Sequence, residues 1–238
     1  MSKILLTGGN GRLGTEIKRI IWPDVQVLSP SRQELDLSSI DRVVKFFEDE
    51  SPQIVIHCAA CTDLPGSQSK PEMAIRDNVI ATSNVVLACV ETGSRLVFIS
   101  TSHVFDGRKG DYAPDESINP LGNYAKSKAA SELVARMYEN SLTIRVEFFG
   151  TDFPYDVAFD DKFATKLYSD QIAPMILAES LSDKRGVMHL DIPKRSIYEI
   201  AKERKSNVKR ASISGYSGST PNLIDTSLIG GLYVERER

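Results

Sequence analysis

Tyr124 and Lys128 stand four residues apart in Tyr124-Ala125-Lys126-Ser127-Lys128. On a helix that spacing puts both side chains on one face. A free phenol, with a pKa near ~10, exchanges protons poorly at neutral pH. A cation held beside it favours the phenolate and moves the group toward its working range. The pair is a candidate proton donor with its tuning charge, although Tyr-x-x-x-Lys also arises by chance. A second set of residues, Thr7-Gly8-Gly9-Asn10-Gly11-Arg12-Leu13-Gly14, fits G-x-G-x-x-G through Gly9, Gly11 and Gly14. It also fits G-x-x-G-x-x-G through Gly8, Gly11 and Gly14. Missing Cβ atoms let backbone approach a pyrophosphate, and a following helix offers free N–H groups and the positive end of its dipole. The competing reading is a tight turn with no ligand.

Two further stretches refine that chemistry. In Leu28-Ser29-Pro30-Ser31-Arg32 no acid stands where one would hold the ribose 2′-hydroxyl of NAD, and an Arg follows that could meet a 2′-phosphate. NADP(H) is therefore favoured. Glu34 nearby keeps NAD(H) possible, and Arg32 also reads as an ordinary surface charge. Ile99-Ser100-Thr101-Ser102-His103-Val104-Phe105-Asp106-Gly107 leaves the end of an apolar run. Ligands of open parallel sheets bind at that edge, so Thr101 or Ser102 can set a hydroxyl beside Tyr124.

The elements that must position these residues alternate along the first 150 positions. Apolar runs at 3–6, 25–28, 54–56, 96–99 and 142–146 predict strands. Helical spacing covers 13–20, 40–48, 71–91 and 123–138. Strands alternating with helices imply right-handed βαβ units, hence an α/β fold of the Rossmann type, a doubly wound parallel sheet. Residues 1–150 would form the NAD(P)-binding domain. Residues 151–238 would form a small, reduced substrate lobe, with a helix at 168–181, a strand at 187–192, a helix at 197–205 and a Ser/Gly-rich loop at 211–221. Some of these elements would pack on the sheet.

The chain has 238 residues, 29 of them Lys or Arg and 32 Asp or Glu, a formal charge of −3. That balance argues against a nucleic-acid binder. Hydrophobic residues at 41% and charged residues at 26% are ordinary for a folded domain. Uninterrupted apolar runs are short, so no membrane span is expected, and residues 1–8 lack the long apolar core of a signal peptide, so none is expected. Three cysteines make no disulfide framework, and the expected compartment is the cytoplasm.

Taken together, Thr7–Gly14, His57-Cys58-Ala59-Ala60, Asn78, Ser100–Gly107 and Tyr124/Lys128 resemble an extended short-chain dehydrogenase/reductase. Within that superfamily the chain most resembles the dTDP-4-dehydrorhamnose reductase family. The nearest stretches are residues 29–37, residues 95–107, and Asn119-Pro120-Leu121-Gly122-Asn123-Tyr124 with Lys128 and Glu132. The likeness is strong over residues 1–149 and patchy beyond. It implies hydride transfer from a reduced nicotinamide to the 4-keto group of a nucleotide-linked 6-deoxysugar. Tyr124 would be the general acid. Lys128 would tune Tyr124 and hold the nicotinamide ribose, and Thr101 would orient the carbonyl. Gly8, Asn10, Gly11, Arg12, Leu13, Gly14, Arg32, Asp36 and Leu37 would line the cofactor. Cys58, Ala59 and Ala60 would lie beside its ribose and pyrophosphate, and Asn78 would support the Lys128 side.

The chain departs from the family in two places. Where the family has Thr-Asp-Tyr-Val-Phe, it has Thr101-Ser102-His103-Val104-Phe105. Its second half is also shorter than the family's, so the substrate differs, or a partner chain completes the pocket, or catalysis has been lost. The alternative functions are an NAD-dependent nucleotide-sugar epimerase or dehydratase, and a non-catalytic NADP-binding regulatory protein, as in the regulatory subunit of methionine adenosyltransferase. Several features read as structural. Cys58 and Cys61 form C-x-x-C without a second pair for zinc and are expected to be plain thiols. His57, His103 and His189 lack metal-ligand spacing, and His103 alone follows Thr101 into the expected cleft. Lys202-Glu203-Arg204-Lys205 with Lys209-Arg210 reads as a solvated helix end, and Trp22-Pro23 as a cap on a turn. The two long helices at 71–91 and 123–138 would offer a homodimer face, or simply core.

Overall fold

The protein is described by a computed structural model covering residues 2–20, 25–215 and 222–234. The Trp22-Pro23 turn and residues 216–221 of the Ser/Gly-rich stretch lie outside the described residues. The apolar runs form β1 (Ser2–Thr7), β2 (Val25–Leu28), β3 (Ile54–His57), β4 (Arg95–Ser100) and β5 (Ser141–Arg145). Between them run α1 (Arg12–Arg19), α2 (Ile40–Glu50), α3 (Leu64–Ser69), α4 (Pro71–Ala74), α5 (Ala81–Thr92) and α6 (Gly122–Arg136). Beyond lie β6 (Glu147–Phe149), β7 (Val157–Phe159), β8 (Phe163–Ala164), β9 (Lys166–Tyr168), α7 (Ser169–Ser180), β10 (Gly186–His189), β11 (Arg195–Ser196), α8 (Ile197–Lys202), β12 (Lys209–Ala211) and β13 (Gly231–Tyr233).

Seven strands make one sheet in the order β13-β10-β5-β4-β3-β1-β2. All neighbours are parallel except β10 and β13. Side chains alternate across each strand, so β1 sends Ile4 and Leu6 to one core and Leu5 to the other. The first core packs α1 and α7 on the sheet through Ile17, Ile172 and Ile176. The second packs α2, α5 and α6 through Val43, Phe47, Val85 and Ala135. Helices cover both faces, which is the doubly wound arrangement expected. Strand order reverses between β1 and β3, which opens a crevice at the strands' C-terminal ends.

The short strand pairs β6–β9, β7–β12 and β8–β11 build a lobe above that edge. Its core is Phe149, Phe153, Tyr168, Ile197 and Ile200. Three expectations need correction. Residues 71–91 are not one uniform α-helix, because Ile75–Ile80 forms a π-helical turn between α4 and α5. Residues 211–221 are not all loop, since Ala211 closes β12 and Ile213–Gly215 is a 3₁₀ turn. The helical run Pro71–Thr92 is long and apolar enough, by length and composition alone, to cross a membrane, yet half of it is buried inside the fold.

Candidate active site

The loop from β1 into α1 is shaped by its glycines. Gly8 takes φ +70°, and a Cβ there would stand 2.6 Å from the Ala59 nitrogen at the end of β3. A Cβ on Gly14 would meet the Gly8 carbonyl oxygen at 2.4 Å, so α1 can pack this tightly on the turn only with Gly. The Gly11 N–H donates to that same oxygen at 2.9 Å. Gly11 is the N-cap of α1 and has no side chain to cap it, so first-turn N–H groups remain available to an anion. Leu13 is buried in the core and can offer a ligand only its backbone. Asn10 accepts a hydrogen bond from Lys18 at 3.1 Å.

A cavity of about 440 Å³ runs from this turn past Arg32, Leu35, Asp36, Leu37 and Cys58–Cys61. Arg32 is engaged there: its Nη2 lies 2.9 Å and its Nη1 3.3 Å from the two oxygens of Asp77, which also pairs with Arg76. Asp36 accepts from Ser38, which holds its carboxyl below the usual range. Ala59 donates its N–H to Thr7 Oγ1 at 3.3 Å, and the Leu37 carbonyl accepts from Asn84 at 2.9 Å.

A second cavity, about 620 Å³, continues from Gly8–Gly14 to Thr101, Tyr124, Lys128 and Glu147. Tyr124 sits in the first turn of α6, and Lys128 follows one turn later on the same face. Burial pushes the Tyr124 phenol up to about 12, a hydrogen bond from the Thr101 hydroxyl opposes this, and the Glu147 charge adds to it. Thr101 and Tyr124 are thus brought together. Lys128 is only 4% exposed. Its ammonium donates to the Ile99 carbonyl at 2.8 Å and lies 4.2 Å above the Phe98 ring. Burial lowers its pKa to about 8, opposed by Cys58 and Glu132.

Asn78 lies in the π-helical turn, a place where such turns concentrate at functional sites. Its Oδ1 accepts from the Cys61 N–H at 2.7 Å, and its Nδ2 donates to the Cys61 carbonyl at 3.2 Å and to Ser127 Oγ at 2.8 Å. It therefore ties the loop after β3 to the helix carrying Tyr124 and Lys128, without touching Lys128.

A third cavity, about 640 Å³, opens between α6 and the lobe, and Tyr124 and His103 line both it and the second. Four residues that sequence spacing did not single out as site residues, His103, Glu147, Lys162 and Lys166, line the second cavity where it adjoins the third. His103 Nε2 lies 2.5 Å from Glu147 Oε1. Burial pushes the Glu147 carboxyl up, yet Lys166, His103 and Lys162 outweigh it and hold the acid well below the usual range. Lys166 also stands 4.0 Å from the Phe149 ring. The available signal was position: Glu147 stands two residues past the end of β5, at the edge where ligands of such sheets bind.

The features read as structural mostly stay so. Cys58, Cys61 and Cys89 are free thiols, and burial pushes Cys58 up to about 12. His57 bridges Thr7 at 2.7 Å and Thr82 at 3.0 Å, with burial lowering its pKa to about 3. His189 contacts Arg145, which pairs with Glu132 at 2.6 Å in the interior. The basic run is not a freely solvated helix end: Arg204 pairs with Asp170, Lys205 with Asp156 and Arg210 with Asp160, stitching the lobe. No group of residues suited to a metal occurs among the described residues.

Sheet order and glycine turn define a Rossmann-type fold, with Tyr124 and Lys128 at the strands' C-terminal edge and a lobe over the crevice there. The family model described as RmlD substrate binding domain matches residues 2–152, and the chain belongs to that family. It is 30% identical over 152 residues to a dTDP-4-dehydrorhamnose reductase of Aggregatibacter actinomycetemcomitans, covering 62% of this chain and 52% of that protein. The chain thus spans about half the length of that relative. It is 32% identical over 156 residues to methionine adenosyltransferase 2 subunit beta of Xenopus tropicalis, covering 60% of this chain and 46% of that one. In fold it matches a dTDP-4-dehydrorhamnose reductase of Bacillus anthracis solved with NADP. The TM-score is 0.88 at 23% identity, over 97% of this chain and 92% of that one.

Proposed function

We propose that the chain is an NADP(H)-dependent reductase acting on the 4-keto group of a nucleotide-linked 6-deoxysugar. The observation that carries this reading is the Tyr124–Thr101 hydroxyl pair, set where the nucleotide crevice meets the lobe cavity, with Lys128 buried one turn away. The glycine cradle and the uncapped start of α1 fit a pyrophosphate. A bound reduced nicotinamide supplies the hydride. Tyr124 donates its proton to the carbonyl oxygen, and Thr101 fixes that oxygen in place. Lys128 balances the phenolate left behind and meets the nicotinamide ribose. Gly8, Asn10, Gly11, Arg12, Leu13 and Gly14 hold the pyrophosphate. Arg32, Asp36 and Leu37 face the adenosine end, Cys58, Ala59 and Ala60 border the ribose, and Asn78 keeps the loop and helix in register. Residues 1–150 serve as the nucleotide domain and 151–238 as the lobe that closes on the sugar nucleotide.

NADP(H) is preferred through Arg32, and NAD(H) remains usable because Asp77 already neutralises much of that guanidinium. A fluorescence titration with NADPH and NADH, followed by NADPH consumption on dTDP-4-dehydrorhamnose, tests the reading. Tight NADPH binding with turnover supports it, and no binding of either nucleotide overturns it. The likeness to the methionine adenosyltransferase subunit favours a second reading, a regulatory protein, which would bind NADPH without turnover. We further assign a homodimer to the apolar face that Leu87 and Val90 of α5 share with Leu133 and Met137, each more than half exposed. The two helices pack side by side, so a two-fold copy would bury both at once.

A further inference from the structure

We propose that His103, held by Glu147, is a second acid–base group in the pocket and removes a proton from the carbon beside the ketone. The inference rests on the reductase reading above. It starts from the departure at Thr101-Ser102-His103, where an imidazole stands in place of the family's phenol. Its Nε2 is committed to the Glu147 carboxylate at 2.5 Å, and Glu147 Oε2 is fixed in turn by the Thr226 hydroxyl at 3.0 Å. A neutral imidazole that donates from Nε2 carries its lone pair on Nδ1. Among the described residues Nδ1 has no hydrogen-bond partner, and the side chain is 23% exposed where the two cavities join. A structural strut would need Nε2 alone.

The ring is also well placed. His103 meets Tyr124 edge-on, centroids 6.0 Å apart, and its backbone N–H donates to Thr101 Oγ1 at 3.2 Å. A ketone held by Tyr124 and Thr101 therefore has its neighbouring C–H within reach of the same wall. The charged groups facing this corner are Glu147 of β6, Lys162 before β8, Lys166 of β9 and Arg12 of α1. Imidazole backed by carboxylate is the arrangement that orients a general base.

The step balances without any redox partner. The C–H bond breaks and its proton goes to His103 Nδ1. The electron pair forms a carbon–carbon double bond, and the carbonyl π pair moves to oxygen, which takes the Tyr124 proton. The proton on His103 Nδ1 exchanges with solvent and is returned to the carbon, while the enol oxygen gives its proton back to Tyr124, which restores the ketone and both side chains. The chain would thus exchange the hydrogens flanking the ketone with solvent, independently of any nicotinamide.

The test is deuterium incorporation into dTDP-4-dehydrorhamnose in D₂O without nucleotide, followed by NMR, beside NADPH-dependent reduction of the same sample. Exchange above the buffer rate is expected, lowered about 10²-fold or more in both His103→Asn and His103→Gln. Thermal unfolding confirms that at least one variant is folded. Exchange unchanged in a folded variant overturns the role of His103. Reduction without exchange in the unaltered protein overturns this proposal alone, and neither reduction nor exchange overturns the reductase reading with it.

Discussion

Lys128 is buried at 4% exposure with its ammonium on one carbonyl oxygen, so its charge is costly to keep. Its pKa falls from 10.5 to about 8. Between those values the unfolded chain holds more protons than the folded one, so this group's contribution to stability rises with pH across that window. Below it the buried charge costs on the order of 3 kcal/mol. Lys128→Met is expected to melt higher than the unaltered protein at pH 7, with the advantage shrinking toward pH 10, while turnover is lost. A lower melting temperature at pH 7 would contradict this. Tyr124 is pushed up to about 12, the opposite direction to the tuning expected of Lys128, because burial of the phenol outweighs the lowering by Thr101 and Arg12. Tyr124→Phe should lose about 10²- to 10⁴-fold in turnover with NADPH affinity intact, read by stopped-flow and titration. Tyr124, Lys128, Thr101 and the glycine turn were legible because each is a local pattern with its own chemistry. Glu147, Lys162 and Lys166 were not: they meet only once the lobe folds over the sheet edge, and no spacing announces that.

At the scale of elements, the β1–α1 turn and the π-helical turn fix the site's dimensions. A Cβ at Gly14 collides with backbone of Gly8 and Gly9, atoms that cannot swing aside. Gly14→Ala should cost about 1–3 kcal/mol in urea unfolding and weaken NADPH binding. A variant as stable and as tight as the parent would show that the turn has room to spare. Asn78→Ala removes the clamp between Cys61 and Ser127 and leaves buried partners unpaired, a loss of about 1–3 kcal/mol with lowered turnover. Strands β1, β3, β4 and β5 were readable because continuous apolar runs mark strands buried on both faces. The π turn was not, since Pro71–Thr92 keeps a helical apolar pattern throughout and only hydrogen bonding distinguishes Ile75–Ile80. Nor were β8 and β11, two residues each, which are too short for any period to register.

For the whole molecule, the sheet and lobe form one crevice with the glycine turn at one end and the Tyr124 wall at the other. The doubly wound class followed from alternation alone, whereas the addition of β10 and antiparallel β13 to the sheet edge depends on contacts distant in sequence. The homodimer assigned to α5 and α6 predicts that sedimentation finds two copies, and that Leu87→Glu with Met137→Glu yields a folded monomer. A monomeric parent protein would rule that face out. The central claim, hydride delivery to a sugar ketone, is tested most directly with NADPH deuterated at the transferable position and dTDP-4-dehydrorhamnose as acceptor. NMR of the product should place deuterium on the former carbonyl carbon, at a rate about 10²- to 10⁴-fold lower in Tyr124→Phe. NADPH bound tightly and the ketone left unreduced would contradict it.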